Sequence, residues 1–293
     1  MNKFIIYILL LFFIAIPLTS QALKESKTTP IKNIKLIISL SSFHNIKVAD
    51  AQAVAQILAN HIKKSHKLEY EFIVETPESI SEIEKSANND FDFIILTTEE
   101  YLNLYKKLSF EPFVTNYSAE HIGYKYHFIV NKSNEIDDIS ELKNETINVL
   151  SGKNQTAAFL WLDKLLKNKG LPNQKKYFKE VVIDYKATNV LLPVFFRKAK
   201  ACVITNSSLN LLMELNPGIK DQIKIIYTSE PIILGITCLN PNKKNEESYN
   251  ILKEILISLH KNEYGKQLLH MFNTEKLILF KEEYLKGYYN LLE

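Results

Sequence analysis

Residues 185–231 read YKATNVLLPVFFRKAKACVITNSSLNLLMELNPGIKDQIKIIYTSEP. Two short apolar runs stand in this stretch, Ala201–Thr205 and Ile223–Thr228. Both are rich in β-branched side chains, the composition of strands buried inside a sheet. One helix fits between them. Asn206 or Ser207 can cap it by accepting from its free N–H groups, Leu209, Leu212 and Met213 give it an apolar stripe, and Pro217-Gly218 stops it. A strand, a helix and a second strand in that order predict a parallel sheet.

The same alternation recurs upstream. Ile34–Leu40 reads as a buried strand followed by a loop at Ser41-Ser42-Phe43-His44. Asp50 then caps a helix with Ala51, Val54, Ala55, Leu58, Ala59 and Ile62 on one face. Tyr70–Val74 and Phe91–Leu96 are further strands around a short helix at Pro77–Ala87. Thr97-Thr98 opens another helix, with Glu99 and Glu100 in its first turn, where the helix dipole favours negative charge. Phe110–Thr115 and Tyr126–Asn131 are extended runs leading out of this half. Thr146–Leu150, a helix from Asn154 carrying Ala158, Trp161, Leu162, Leu165 and Leu166 inward, and Val181–Tyr185 open a second half. Ile232–Leu239 reads as a strand running back, followed by helical segments at Glu246–His260, Tyr264–Phe272 and Lys281–Leu291. A chain that leaves one α/β lobe, builds another and returns has two lobes joined by two crossing segments: 31–125 and 231–293 around 126–230. Alternation alone leaves a single open sheet as a rival.

Composition narrows the function. The 293 residues are 46% apolar and 24% charged, as in a soluble globular chain. The net charge of +3 comes from scattered lysines, not the concentrated basic face of a nucleic-acid binder, so no nucleic-acid partner is expected. Lys3, the apolar run Phe4–Ile16, Pro17 and Ser20-Gln21-Ala22 form an export signal over residues 1–22, with cleavage near Ala22. Kept uncleaved, the segment would be an anchor, but its apolar run is shorter than the roughly 20 residues that span a bilayer. The product is expected to be periplasmic or secreted. Cys202 and Cys238 lie in apolar strand-like runs and read as small core residues. Export leaves a disulfide open, and sequence does not set connectivity.

Catalytic signatures are missing. The glycines, at 123, 152, 170, 218, 235, 265 and 287, are too widely spaced for a phosphate loop or a dinucleotide fingerprint. No G-x-S-x-G, H-E-x-x-H or C-x-x-C occurs, and the histidine spacings fit no metal site. No enzyme, metal or cofactor is expected. Polar, uncharged residues instead sit where strands end and helices begin. There, free N–H groups and the helix dipole can hold an anion without a lysine. Ser41-Ser42, Thr97-Thr98 and Asn154-Gln155-Thr156 are three such places, although each residue also reads as an ordinary cap. Phe43, Tyr124 and Tyr126 lie near lobe edges as potential walls.

Several motifs resemble one family. Leu192-Pro193-Val194-Phe195-Phe196, Ala201-Cys202-Val203, Glu214-Leu215-Asn216-Pro217 and Ser229-Glu230-Pro231 are similar to the phosphate/phosphonate-type substrate-binding proteins of ABC importers. So are Trp161-Leu162-Asp163 and Tyr264-Gly265-Lys266-Gln267-Leu268-Leu269. The resemblance implies the two-lobed type II periplasmic-binding fold, an α/β architecture with two crossover strands. It also implies a monomer that captures a small oxyanion of the phosphate or phosphonate class between its lobes for an ABC permease. A sensory protein of the same fold, feeding a membrane receptor, is the alternative. Asn154-Gln155-Thr156 correspond to the family's anion-contacting run of small hydroxyl residues, with Asn154 and Gln155 replacing some of them. Lys186-Ala187-Thr188-Asn189 occupy the place of a Gly-Ser-His anion contact. The histidine is missing there, which leaves Thr188 and, as a countercharge, Lys186. Arg197 and Lys200 replace the glycine and aspartate of a Gly-x-x-Asp-Ala turn, and the lost aspartate argues against a ligand carrying an ammonium group.

Overall fold

The computed structural model describes residues 32–43, 48–88, 90–118, 121–152, 155–272 and 274–293. The expected export signal and Asn154 lie outside the described residues. The first half runs β1 (Lys32–Ile38), α1 (Val48–Ser65), β2 (Tyr70–Glu75), α2 (Ile80–Asn88), β3 (Phe93–Thr97), α3 (Thr98–Leu104), β4 (Glu111–Ser118) and β5 (His121–Ile122). Next come β6 (Tyr126–Asn131), β7 (Thr146–Leu150), α4 (Ala157–Asn168), α5 (Gln174–Tyr177), β8 (Glu180–Asp184), α6 (Ala187–Phe195), β9 (Ala201–Thr205), α7 (Asn206–Leu215), α8 (Ile219–Gln222) and β10 (Ile223–Thr228). The chain ends with β11 (Gly235–Leu239), α9 (Glu247–Ser258), α10 (Glu263–Met271), β12 (Lys276–Leu279) and α11 (Lys286–Leu292).

The strands form two sheets. One has the order β12-β4-β11-β3-β1-β2, with β5 on β4; the other has the order β10-β6-β9-β7-β8. In each, three strands at one end are parallel, β3-β1-β2 and β9-β7-β8, and a strand from a crossing segment enters antiparallel: β11 between β3 and β4, and β6 between β9 and β10. The parallel reading of β9 and β10 therefore needs a correction. They run in the same direction but do not touch, because β6 is inserted between them.

The continuous apolar strands are explained by burial on both faces. Along β1, Leu36 and Ile38 face a core shared with α1, α9 and α10, while Ile37 faces a second core with α2 and α3. Along β6, Phe128 and Val130 pack with Trp161 and Leu162 of α4, whereas Ile129 meets Val190 and Val194 of α6 and Leu209 of α7. Tyr288 and Leu291 of α11 join the α4 side of the second sheet. Cys202 and Cys238 are free, buried thiols in different sheets, and burial pushes both well above the usual thiol pKa.

Local corrections have local causes. The cap of α7 is Thr205, whose hydroxyl accepts from the Ser208 N–H; the Asn206 side chain instead accepts from the Lys125 N–H at 3.0 Å. Helix α4 begins at Ala157 with Thr156 as its cap. Residues 187–195, quoted only as a motif above, form α6 with Pro193 inside it. Helix α6 ends in a Schellman turn: Lys198 N–H donates to the Pro193 carbonyl and Arg197 N–H to the Val194 carbonyl. Arg197 sits there at φ 61°, in the left-handed region that favours glycine.

The two segments that join the sheets meet as a backbone pair. Tyr124 N–H donates to the Ile232 carbonyl at 2.9 Å, and Ile232 N–H returns a bond at 2.8 Å. Two glycines let other backbone approach this pair. A Cβ on Gly123, itself at φ 81°, would lie 2.4 Å from the Ile232 oxygen, and one on Gly287 would lie 1.9 Å from the Pro231 oxygen.

Two stability measurements follow from this geometry. Gly287→Ala forces α11 off Pro231 and is expected to destabilise the protein by about 1–3 kcal/mol in urea unfolding. Arg197→Gly removes the left-handed penalty of an L side chain, partly offset by the freer unfolded chain, and should stabilise by roughly 0.5–1 kcal/mol in the same experiment.

Candidate ligand site

The first-sheet side of the site is built from the ends of β1 and β3. Ser39, fully buried, accepts from the Ser41 N–H and donates to Glu100 Oε1 at 2.6 Å. Glu100 Oε2 in turn accepts from the Thr97 N–H at 2.9 Å, and the Thr97 hydroxyl accepts from the Glu100 N–H, so α3 starts with a complete capping box. Thr98 is occupied by structure: its hydroxyl donates to the Ile233 carbonyl at 2.7 Å and its N–H to the Leu234 carbonyl. This pair straps the returning segment to the start of α3.

The second-sheet side comes from the start of α4. Gln155 Oε1 accepts from the Gly152 N–H at 3.1 Å, and its Nε2 donates to the Ser41 carbonyl at 2.9 Å, linking elements of both sheets. Thr156 caps α4 by position without a side-chain capping bond, and its hydroxyl donates to Glu99 on α3. Tyr288 lies against the same carboxylate. Burial, with Glu99 beside it, pushes its phenol up to about 12.

Three cavities surround these contacts and share Gln155 and Leu234 in their walls. The largest, about 120 Å³, has Ser41, Ser42, Thr97, Thr115 and Asn116 among its polar lining. A second, about 40 Å³, lies among Ser151, Gly152, Tyr185, Thr205, Ser207 and Ser208, and a third, about 20 Å³, among Thr97, Thr98, Glu99, Thr156 and Tyr288. Tyr124 and Tyr126 also line cavities, whereas Phe43 packs against Phe272 with ring centroids 5.4 Å apart. No Lys, Arg or His is among the described residues lining the three.

The structure thus brings together Ser41, Ser42, Thr97, Thr98, Gln155 and Thr156. It does not bring Lys186 or Thr188 to them. Both are exposed and line none of these cavities; Lys186 Nζ sits 5.7 Å from the Tyr185 ring. At the start of α6, Asp184 accepts from the Lys186 N–H at 2.7 Å and from the Asn189 amide at 2.9 Å. Burial pushes the Asp184 carboxyl upward, but these bonds and the Lys186 charge outweigh it and hold the group below the usual range. Arg197 and Lys200 are exposed as well.

Sequence reasoning missed Asn116 on β4. Its Nδ2, like Ser41 Oγ and Ser42 Oγ, is buried with no hydrogen-bond partner among the described residues. The available signal was an amide placed next to Phe113-Val114-Thr115, a run otherwise fit for a core strand. Among the described residues no cluster of three or more His, Cys, Asp or Glu is arranged to hold a metal ion. No helix among them is long and apolar enough to cross a membrane.

Comparison with known proteins agrees with this architecture. The periplasmic substrate-binding family of phosphonate ABC transporters matches residues 44–284. Against curated proteins the sequence finds no match. Among solved structures, a Prochlorococcus marinus protein in complex with methylphosphonate is 16% identical with a TM-score of 0.62, over 89% of this chain and 97% of that one. A binding-protein component of the phosphonate ABC transporter of Pseudomonas aeruginosa is 15% identical with a TM-score of 0.60, over 89% and 86% of the chains. A Xanthomonas citri protein bound to ATP is 12% identical with a TM-score of 0.61, over 89% and 95%. These likenesses fix the fold as the type II periplasmic-binding architecture. The family's members are periplasmic, bind solutes rather than transform them, and work with a membrane permease. With 44–284 matched out of 293 residues, this chain belongs to the periplasmic substrate-binding family of phosphonate ABC transporters.

Proposed function

We propose that this chain captures a small oxyanion of the phosphate or phosphonate class in a cleft between two lobes, divided near residues 125 and 231, and delivers it to an ABC permease. It would act as a monomer after cleavage near Ala22. The observation that carries the reading is the set of buried donors at the largest cavity: Ser41 Oγ, Ser42 Oγ and Asn116 Nδ2 lack a partner among the described residues, and no carboxylate lines that cavity. Donors without acceptors suit an anion, and in a buried site neutral donors can hold one without a lysine.

The mechanics follow from the contacts that cross between the two sheets' elements. The Tyr124–Ile232 backbone pair provides a short, stiff connection about which the lobes can hinge. Gln155 on Ser41 and Thr156 on Glu99 are the contacts that would break on opening and re-form on closing over the solute.

Thermal unfolding with phosphate, phosphite, methylphosphonate, sulfate and small carboxylates tests the reading. A true ligand at 100 times its Kd should stabilise the protein by about 2.7 kcal/mol; no response to any oxyanion would sink the substrate class. Asn116→Leu, nearly isosteric, removes a buried donor that has no partner. It should leave the ligand-free protein as stable or about 1–2 kcal/mol more stable while abolishing the ligand-induced shift. A variant that keeps the shift would take Asn116 out of the site.

A further inference from the structure

We propose that the solute is amphiphilic, an oxyanion carrying an uncharged aliphatic or aromatic tail that enters the core of the first sheet's lobe. This rests on the oxyanion reading above and extends it. The largest cavity does not end at its polar rim. Most of its wall is apolar, with side chains that include Leu36 of β1, Phe93 of β3, Leu58 and Ile62 of α1, Leu256 of α9 and Leu268 of α10, alongside Thr115, Thr237 and Thr274.

Such a space is unusual in a protein interior, where side chains interlock and voids larger than a water molecule are few. Water is a poor occupant of the apolar part, since it needs two to four polar partners and Leu, Ile and Phe side chains offer none. A dry cavity of about 150 Å³ lined by Leu, Ile and Phe takes up benzene, and the present one is about 120 Å³. The tail that fits is therefore about four to six carbon atoms long, or a single ring. Methylphosphonate or inorganic phosphate would engage the rim and leave the chamber behind it unused.

The polar features assign the two ends. Ser41 and Asn116 are 2% and 8% exposed, and their Oγ and Nδ2 have no partner among the described residues, so the rim donates to a head group. The cavity lining includes no Asp or Glu among the described residues, so an ammonium at the tail end would find no counter-charge. This selects alkyl over aminoalkyl tails.

Isothermal titration of the mature protein with inorganic phosphate and with methyl-, propyl-, pentyl-, phenyl- and 2-aminoethyl-phosphonate is the test, with hexanoate and 1-hexanol as further arms. Affinity is expected to rise about fourfold per methylene from methyl to pentyl, with the phenyl compound among the tighter ligands and the aminoethyl compound no better than methyl. Leu256→Trp, filling the chamber, should erase the chain-length gain while sparing methylphosphonate. If that variant does not fold, the series on the unsubstituted protein decides alone. Equal or tighter binding of phosphate or methylphosphonate than of the propyl and pentyl compounds would overturn the proposal and leave the oxyanion reading intact. Chain-dependent binding of 1-hexanol with no anion binding at any length would overturn the oxyanion reading, and this proposal with it.

Discussion

The backbone pair between Tyr124 and Ile232 is the constraint on which the two-sheet arrangement depends. Two bonds across a pair of crossing segments would be a weak link if solvent could compete for them. Here both residues are almost fully buried, at 4% and 1% exposure. The surrounding structure is shaped to leave backbone room: Gly123 lies against Ile232, Gly287 brings α11 onto Pro231, and Thr98 straps Ile233 and Leu234 to α3. Each contact holds a different residue of the short run 231–234. From this pairing the chain continues into β6 on one side and β11 on the other, each antiparallel to its neighbours.

Electrostatics at the helix starts runs against a simple expectation. A helix N-terminus attracts an anion from outside only where the chain does not supply its own. Glu100 closes the box at α3, Asp184 accepts from the Lys186 N–H just before α6 and from the Asn189 amide, and Glu99 holds the Thr156 hydroxyl at α4. At the largest cavity the buried side-chain donors left without partners among the described residues belong to Ser41 and Ser42, after β1, and to Asn116 on β4. This places the polar end of the site closer to the first sheet than a count of helix starts suggests.

Much of the fold was legible because strands such as β6, β7 and β9 are buried on both faces; edge strand β10, with Ile225 exposed, shows only by its β-branched run. Ala201–Thr205, Ile223–Thr228, Tyr126–Asn131 and Thr146–Leu150 appear as strands with the boundaries their apolar runs suggest. Strand β12 was not legible. Its Lys276-Leu277-Ile278-Leu279 is half-exposed at the sheet edge and follows directly on a helix, so no burial pattern marks it. Helix α6 was hidden by Pro193 and by an Arg in place of the glycine that commonly announces a Schellman end. The site divided in the same way. Ser41, Thr97 and Gln155 follow strands and could be placed from the alternation alone, but Asn116 and the aliphatic chamber exist only once α1, α9 and α10 close over β1 and β3.

An open apolar chamber and unpaired buried donors both weaken a folded state, the first through contacts its walls do not make and the second through lost hydration. Finding both on one cavity, with the donors at its rim and the aliphatic walls behind, argues against accidental poor packing, which has no reason to sort polar from apolar. Some other buried polar groups in the same part of the fold are paired, while Tyr249 Oη and His61 Nε2 have no partner among the described residues. Buried Ser39 and Glu100 satisfy each other, and buried Asn240 bonds Asp90 and the Phe91 carbonyl. Stability is lost at this cavity, where a solute with matching polarity could restore it on binding.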